Sequence, residues 1–411
     1  MNCRHCSAPL VHTFLDLGFA PPSNAYLRQE DLSQPESYYP LRLKVCHTCW
    51  LVQTEDFANA ESLFSDKYAY FSSTSSSWLA HAKRFSQAMI DMLGLTGSSH
   101  VVEVASNDGY LLRNFVDADI PCLGIEPTAS TAAAAEKLGV PVLREFFGKE
   151  LGKMLAANGQ QADLVIGNNV FAHVPDINDF TLGLKSLLKP DGTVTLEFPH
   201  FMRLVTEVQF DTVYHEHFSY LSLFCARRIF ASAGLRLFRV EKLPTHGGSL
   251  RIFGCHDSDP RETHESVEQI LLEEYESGLR SLETYTSFQA RADKVKYDLL
   301  TFLLDKKSMG KKVVAYGAAA KGNTLLNYAG IKPDLLPVVF DAAKAKQGKF
   351  MPGSHIPIRP VDELASCEAD YVLVLPWNLA HEIVSQAEAW TSSGTQFVVF
   401  APSLRFLTGT S

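Results

Sequence analysis

From about residue 98 onward, short apolar runs alternate with amphipathic stretches. The runs at 101–104, 123–125, 140–143, 164–166 and 193–198 are rich in Val, Ile and Leu and predict strands. Between them, 110–115, 130–138, 148–157 and 177–188 repeat apolar positions at helical spacing. Strand and helix in alternation predict a parallel, doubly wound sheet. A further helical stretch at 221–233 stops at Gly234, and strands at 235–242 and 250–256 flank the turn-like Leu243-Pro-Thr-His-Gly-Gly-Ser249, so an antiparallel pair closes the series.

Residues 261–309 carry Glu-rich text with Leu at helical spacing and read as a connector. An α/β rhythm then restarts, with strands at 312–316, 336–340, 371–375 and 396–400 and helices at 321–329 and 379–389. The first 80 residues are different: rich in Pro, Ser, Tyr and Phe, with few segments of clear period. The expected class is α/β, with a small N-terminal lobe (1–80), a Rossmann-like domain (81–260), the connector (261–309) and a second Rossmann-like α/β domain (310–411).

Composition narrows the function classes. Of 411 residues, 46% are hydrophobic and 20% charged, which supports full cores and excludes global disorder. The 37 basic residues are outnumbered by 46 acidic ones, which argues against nucleic acid or an anionic membrane as main partner. The start lacks a charged-then-apolar pattern, and no apolar run is long enough to span a bilayer; the expectation is a cytoplasmic protein, a monomer or small homo-oligomer.

Four of the eight cysteines fall in two pairs, Cys3-x-x-Cys6 and Cys46-x-x-Cys49. Each pair can aim two thiolates at one cation, and four sulfurs satisfy tetrahedral zinc with no position left for water. The expected site is therefore structural. Two disulfides or free thiols are the competing reading, which the duplicated spacing disfavours. A redox role is disfavoured too, because neither pair opens a helix after a strand.

The stretch Val101-Val-Glu-Val-Ala-Ser-Asn-Asp-Gly-Tyr110 lies where the first strand of the doubly wound sheet meets its helix, the place where such sheets bind ligands. An S-adenosylmethionine loop has acidic-x-Gly-x-Gly-x-Gly; here the small positions are Ala105, Asn107 and Gly109. Alone, this fits an ordinary turn equally well. The next strand, however, ends in Gly124-Ile-Glu-Pro127, where Glu126 can accept ribose hydroxyls beside Pro127, and Asn168 and Asn169 follow the fourth strand on the same crevice. The glycine pattern that cradles a pyrophosphate is absent, so a sulfonium cofactor fits better than a dinucleotide. Glu103, Ala105, Asn107, Asp108, Gly109, Glu126, Pro127, Asn168 and Asn169 are the candidate contacts.

After the fifth strand comes Asp211-Thr-Val-Tyr-His-Glu-His-Phe-Ser-Tyr220. Two imidazoles, a carboxylate and two phenols this close are costly to bury without a task. Acid–base chemistry is the favoured task. A metal held by His215 and His217, which share a face of an extended chain, is the competing one. His173, His200 and His256 stand alone and read as structural. In the C-terminal block, Tyr316-Gly-Ala-Ala-Ala-Lys-Gly-Asn-Thr324 lies between strand and helix, where free amides favour an anion. Gly317, Ala318, Lys321 and Asn323 are candidates to hold a diphosphate, and Asp341 after the next strand a ribose or base. Small residues at such a turn are equally a packing device.

Taken in order, Cys3/Cys6/Cys46/Cys49, Asp66-Lys-Tyr-Ala-Tyr-Phe-Ser-Ser73, Glu103-Val-Ala-Ser-Asn-Asp-Gly109, Tyr214-His-Glu-His-Phe-Ser219, His246-Gly-Gly-Ser249 and Gly317-Ala-Ala-Ala-Lys-Gly322 cover the whole chain. The chain in this respect resembles the nucleotide-sugar C-methyltransferases of deoxysugar biosynthesis, which attach a branch methyl to C-3′ of a 4-keto-6-deoxy sugar. The antiparallel closing pair and the degenerate cofactor loop suit that resemblance. It implies a class I methyltransferase domain flanked by a zinc lobe and a second Rossmann-like domain, with S-adenosylmethionine in the middle sheet and a nucleotide-linked 4-keto-6-deoxy sugar between domains. It also implies His217 as base, Tyr214 and Glu216 beside it, Tyr68 or Tyr70 approaching from the zinc lobe, and His246 and Ser249 near the substrate.

Chemistry fills in the expectation. The donor methyl is already electrophilic, so the barrier lies in making a carbon nucleophile next to a ketone. A general base alone supplies ~10²–10⁴-fold, so the enolate oxygen needs donors as well. Tyr214, Tyr68, Tyr70 and His215 are candidates for that donor, with Glu216 orienting an imidazole. Two rivals stay open: an O- or N-methyltransferase acting on a sugar or small metabolite, and a non-catalytic zinc- and nucleotide-binding module.

Overall fold

The structure is a computed structural model and describes residues 1–55, 71–387, 394–401 and 403–407. The N-terminal lobe is more regular than its sequence suggests. Strands β1 (His12–Ala20), β2 (Tyr39–Val45) and β3 (Val52–Thr54) run antiparallel. Alternation is plain in β2, where Leu41, Leu43 and Val45 are buried. In β1 the register shifts between Thr13 and Leu15 and again between Asp16 and Phe19, which breaks the period and hides the strand from pattern reading. A fourth strand, β9 (Ser219–Tyr220), comes from the middle of the chain and pairs with Val52 and Gln53.

The helix Ser76–Leu93 is also absent from the sequence reading, and it runs across residue 80. Ser75 caps it by accepting the Trp78 amide, Ala82, Phe85, Ser86 and Met89 form its buried stripe, and Gly94, at φ 61°, ends it. The central sheet follows with strands β4 (Val101–Val104), β5 (Cys122–Ile125), β6 (Val142–Leu143), β7 (Ala162–Asn168), β8 (Leu188–Pro199), β10 (Leu235–Leu243) and β11 (Ser249–His256). Their order is β10-β11-β8-β7-β4-β5-β6, parallel except for β10 and β11. The strand order reverses at β4, so a crevice opens at the carboxyl ends of β4 and β7.

Helices Ser266–Glu276 and Phe288–Ser308 form the connector. The last sheet contains β12 (Val313–Tyr316), β13 (Val339–Asp341), β14 (Ile358–Pro360), β15 (Tyr371–Val374), β16 (Gln396–Val399) and β17 (Arg405–Leu407), in the order β14-β13-β12-β15-β16-β17. It is parallel apart from β17 and reverses direction at β12. Several elements differ from expectation. The helix expected at 110–115 shrinks to Arg113–Val116, the strand at 140–143 to Val142–Leu143, and that at 336–340 shifts to Val339–Asp341, because turns held by backbone hydrogen bonds take up the remaining apolar residues. The short edge strands β14 and β17 have no clear period and were not foreseen.

The cores run across the sheet boundaries. One joins lobe residues Phe14, Leu41 and Leu43 to the segment around Phe210, the connector helix at Phe288 and the C-terminal strands at Ala315 and Leu373. A second joins Cys3, Cys46, Cys49 and Leu51 to Val102, Val165 and Leu196 of the central sheet. Among the described residues, no helix is long and apolar enough to cross a membrane.

Candidate active site

The four expected cysteines meet. Their sulfurs all lie within 4.8 Å of one another, with Cys3 3.4 Å from Cys49 and Cys6 3.5 Å from Cys46. Tetrahedral bonds of about 2.3 Å to zinc separate sulfurs by roughly 3.8 Å, so the cluster fits that ion. The Cys3 thiol is pulled down to about 5, first by the Cys49 thiol beside it and then, against burial, by the amides of Cys6 and His5. The knot is bolted to the central domain: Arg4 Nη1 donates to the Pro175 carbonyl (2.6 Å), Asn178 Nδ2 to the His5 carbonyl (2.8 Å) and Cys225 Sγ to the Cys49 carbonyl (3.3 Å).

At the carboxyl end of β4, Ala105, Asn107 and Gly109 all have positive φ, at 57°, 51° and 75°, which bends the loop over the crevice. Glu126 accepts the amides of Asn107 (3.0 Å) and Thr128 (2.9 Å), while Asn107 Oδ1 and Asp108 Oδ2 accept the amides of Ser72 and Ser73. Among the described residues, Glu103 Oε2, Asp108 Oδ1 and both polar atoms of the Asn168 side chain are buried without a hydrogen bond. Burial first, then Asp108, Glu126 and Glu197, push the Glu103 carboxyl well above its usual range. Among the described residues no basic side chain forms a salt bridge with Glu103, Asp108 or Glu126, so the crevice suits a ligand that brings positive charge. S-adenosylmethionine, with a sulfonium and an ammonium group, meets that requirement, and a phosphate-bearing cofactor does not. Asn169, at φ 54°, donates its amide to the Glu197 carbonyl (2.8 Å), and Pro127 is half-buried beside Glu126.

Gly109 shows why the loop tolerates so little. A Cβ there would lie 2.9 Å from the Ala135 Cβ and 3.1 Å from its Cα, on a backbone that L-residues adopt at a cost of about 1–2 kcal/mol. Gly109→Ala is expected to weaken S-adenosylhomocysteine binding at least tenfold by calorimetry. Unchanged affinity would detach this turn from the cofactor.

The Tyr-His-Glu-His segment is a turn, and its side chains diverge. His217 points inward: its ring lies 4.0 Å from that of Tyr214 and 4.6 Å from that of His173, centroid to centroid. Burial first, then the neighbouring His173 and His246, hold its imidazole well below the usual range, against a smaller opposing effect of the Thr212 backbone. Burial lowers the His173 ring to about 4, and its contact with the His217 ring places it in the cluster, so it does not stand alone as expected.

His215 and Glu216 face the lobe. His215 Nε2 lies 3.3 Å from the Tyr39 carbonyl, so the two imidazoles do not converge on a metal, and the four cysteines are the one metal-competent group among the described residues. Asn24 Nδ2 donates to both Glu216 oxygens (3.0 and 3.1 Å), and burial raises that carboxyl to about 7 against this contact. Among the described residues Glu216 has no hydrogen bond from its carboxylate to an imidazole, contrary to the expected orienting role. Tyr68 and Tyr70 lie outside the described residues.

The C-terminal candidates divide. Ala318 donates its amide to Asp341 Oδ2 (2.7 Å), whose other oxygen accepts the Ala343 amide (2.7 Å), so Asp341 ties the turn together. Gly317 has φ 88°, and a Cβ there would lie 2.4 Å from Pro376. Asn323 Nδ2 donates to the Ser23 carbonyl (2.9 Å) and Ser249 Oγ to the Thr245 carbonyl (3.0 Å), both internal fastenings. Lys321 instead enters the seam between domains. Its Nζ donates to Asn378 Oδ1 (2.9 Å), sits 4.6 Å over the Trp377 ring and approaches the His246 carbonyl at 3.5 Å.

Sequence reasoning missed several neighbours. Asp211 accepts the Trp377 indole N–H at 2.6 Å. Trp78 stacks on His81 at 4.8 Å and meets His246 edge-on at 5.2 Å, while His81 Nε2 lies 3.0 Å from Glu197 Oε2 and Arg251 Nε donates to Glu197 Oε1 (2.8 Å). A buried acid opposite a buried base in register, Glu197 with Arg251, was the available signal.

Comparisons with known proteins follow this geometry. Family models match residues 244–402 as a C-methyltransferase C-terminal domain, 70–240 as a methyltransferase domain and 3–64 as a zinc binding domain. The C-methyltransferase NovU of Streptomyces niveus is 33% identical over 410 residues, covering 100% of this chain and 97% of the relative. Among solved structures, magnesium protoporphyrin IX methyltransferase of Synechocystis PCC 6803 with bound SAH is 14% identical with TM-score 0.35, over 43% of this chain and 83% of that one. A SAM-dependent methyltransferase of Thermotoga maritima is 16% identical with TM-score 0.35, over 49% of this chain and 100% of that one.

Proposed function

The chain belongs to the C-methyltransferase family, as an S-adenosylmethionine-dependent enzyme with a structural zinc site, and from that premise we propose that it methylates C-3′ of a nucleotide-linked 4-keto-6-deoxy sugar through an enolate. The observation that carries the reading is the state of His217. Buried beside Tyr214 and His173, the ring is kept uncharged, and a neutral imidazole has one nitrogen with a lone pair free to accept a proton. When bound, S-adenosylmethionine supplies the electrophilic methyl group.

His217 takes the proton from the carbon beside the ketone, and the negative charge growing on the ketone oxygen raises the proton affinity of the imidazole at that moment. Tyr214, packed on the same ring, is the phenol placed to donate to that oxygen, with Tyr68 or Tyr70 as the second. Glu216, through Asn24, fastens the segment to the zinc lobe. The nucleotide lies toward the C-terminal sheet, near the turn at Gly317.

The test compares a 4-keto-6-deoxy sugar nucleotide with its 4-hydroxy counterpart, using the purified full chain and S-adenosylmethionine. Mass spectrometry is expected to find one added methyl on carbon and deuterium uptake at C-3′, with the keto compound alone. Equal methylation of the hydroxy compound would identify transfer to oxygen or nitrogen and defeat the proposal.

A further inference from the structure

Two residues of opposite charge, the half-buried Lys321 and the buried Asp211, come together where the C-terminal sheet meets the histidine segment. Lys321 and Trp377 come from the carboxyl ends of β12 and β15, Asp211 from the turn Phe210–Thr212, and His246 from the β10–β11 turn. Trp377 links them: its indole donates to Asp211, its ring lies under Lys321, and it fills the space where a Cβ on Gly247 would come within 2.4 Å. Among the described residues, Asp211 Oδ1 and His246 Nε2 are buried without hydrogen-bond partners. The Lys321 ammonium has three N–H donors and, among the described residues, uses Asn378 and, at long range, the His246 carbonyl, so one donor remains.

Resting on the reading above, we propose that Lys321 is the cation that stabilises the enolate oxygen, with Asp211 as the positioning residue that holds Lys321 charged and in place. In the step, the C-3′–H bond breaks and its proton goes to His217. The electron pair passes into the adjacent C–C bond, and the carbonyl pair moves onto oxygen, which accepts a hydrogen bond from Lys321 without taking its proton. The carbonyl then re-forms as the new carbon–carbon bond is made, and the donor's carbon–sulfur bond breaks with its pair left on sulfur. A cation fixed in a water-poor seam suits this task better than holding a diphosphate, which carries more charge than one buried ammonium offsets.

The charged and titratable groups facing Lys321 are Asp211 from its turn, His217 from the histidine segment and His246 from the hairpin turn; Trp377 and Asn378 are neutral. Burial lowers Lys321 to about 8, and Asp211 opposes that fall. Burial raises Asp211 to about 6, against Lys321 and Trp377, so both are charged at neutral pH. The free-enzyme kcat/KM profile should therefore fall on the alkaline side as Lys321 loses its proton.

The experiment uses the full chain and a 4-keto-6-deoxy sugar nucleotide. Lys321→Met is expected to lower kcat and C-3′ exchange together by roughly 10²–10³-fold. Sugar-nucleotide and S-adenosylhomocysteine affinities should change less than about threefold, the latter showing that the fold is intact. Lys321→Arg should remove the alkaline fall, and Asp211→Asn should move it to lower pH, which a merely structural carboxylate would not do. Lost sugar-nucleotide affinity with kcat and exchange retained would return Lys321 to the diphosphate and overturn the proposal. Absence of exchange in the unaltered enzyme would instead defeat the enolate reading itself.

Discussion

His217→Asn is expected to abolish C-3′ deuterium uptake and methyl transfer together, each by ~10²–10⁴-fold, while S-adenosylhomocysteine still binds. Asparagine keeps a polar side chain at this position but offers no basic lone pair. The loss should therefore fall on kcat, with little change in the sugar-nucleotide dissociation constant. His173 is the informative control, because it lies 4.6 Å from His217 in the same buried cluster. If exchange persists in His217→Asn and disappears in His173→Asn, the base is His173 and the assignment of His217 fails.

Removing the metal is expected to have the second large effect. Chelation, or Cys46→Ser, should unfold the lobe, since a structural zinc contributes an apparent ~10–16 kcal/mol in finger peptides. The damage should also reach the histidines. Cys49 is followed by β3, and β3 pairs with Ser219 and Tyr220, while the Thr54 amide donates to the Phe218 carbonyl (3.1 Å). Hydrogen exchange followed by mass spectrometry should lose protection at 217–220 in step with zinc content and turnover. Protection retained at 217–220 after complete zinc removal would separate the metal from the active site.

What the sequence made legible is what it encodes locally. Cys-x-x-Cys spacing names its ligands because two residues suffice to make the knuckle, and β4 through β8 could be read because apolar runs and helix periods lie side by side. Pairings between distant segments were not legible. A two-residue strand such as β9 has no period, and nothing near Glu216 indicates that Asn24 will bind it. Charge partners are hidden for the same reason: Asp211 and Lys321 sit in different domains, and they reach one seam through Trp377 and through the helix Ala320–Ala329, whose Thr324 hydroxyl donates to the Val213 carbonyl (2.7 Å). His173 was set aside as isolated because sequence neighbours decide little about a residue whose companions arrive from 217 and 246.

The placement of β9 bears on how the polypeptide is made. As it leaves the ribosome, the metal knot can close once Cys49 emerges, but β3 keeps one bare edge until residue 220 has been synthesised. During that interval Val52, Gln53 and Thr54, all buried in the finished protein, offer unpaired amides and carbonyls to any passing strand. A recombinant fragment cut after the cysteine lobe would keep that edge permanently, and should aggregate even with its zinc in place.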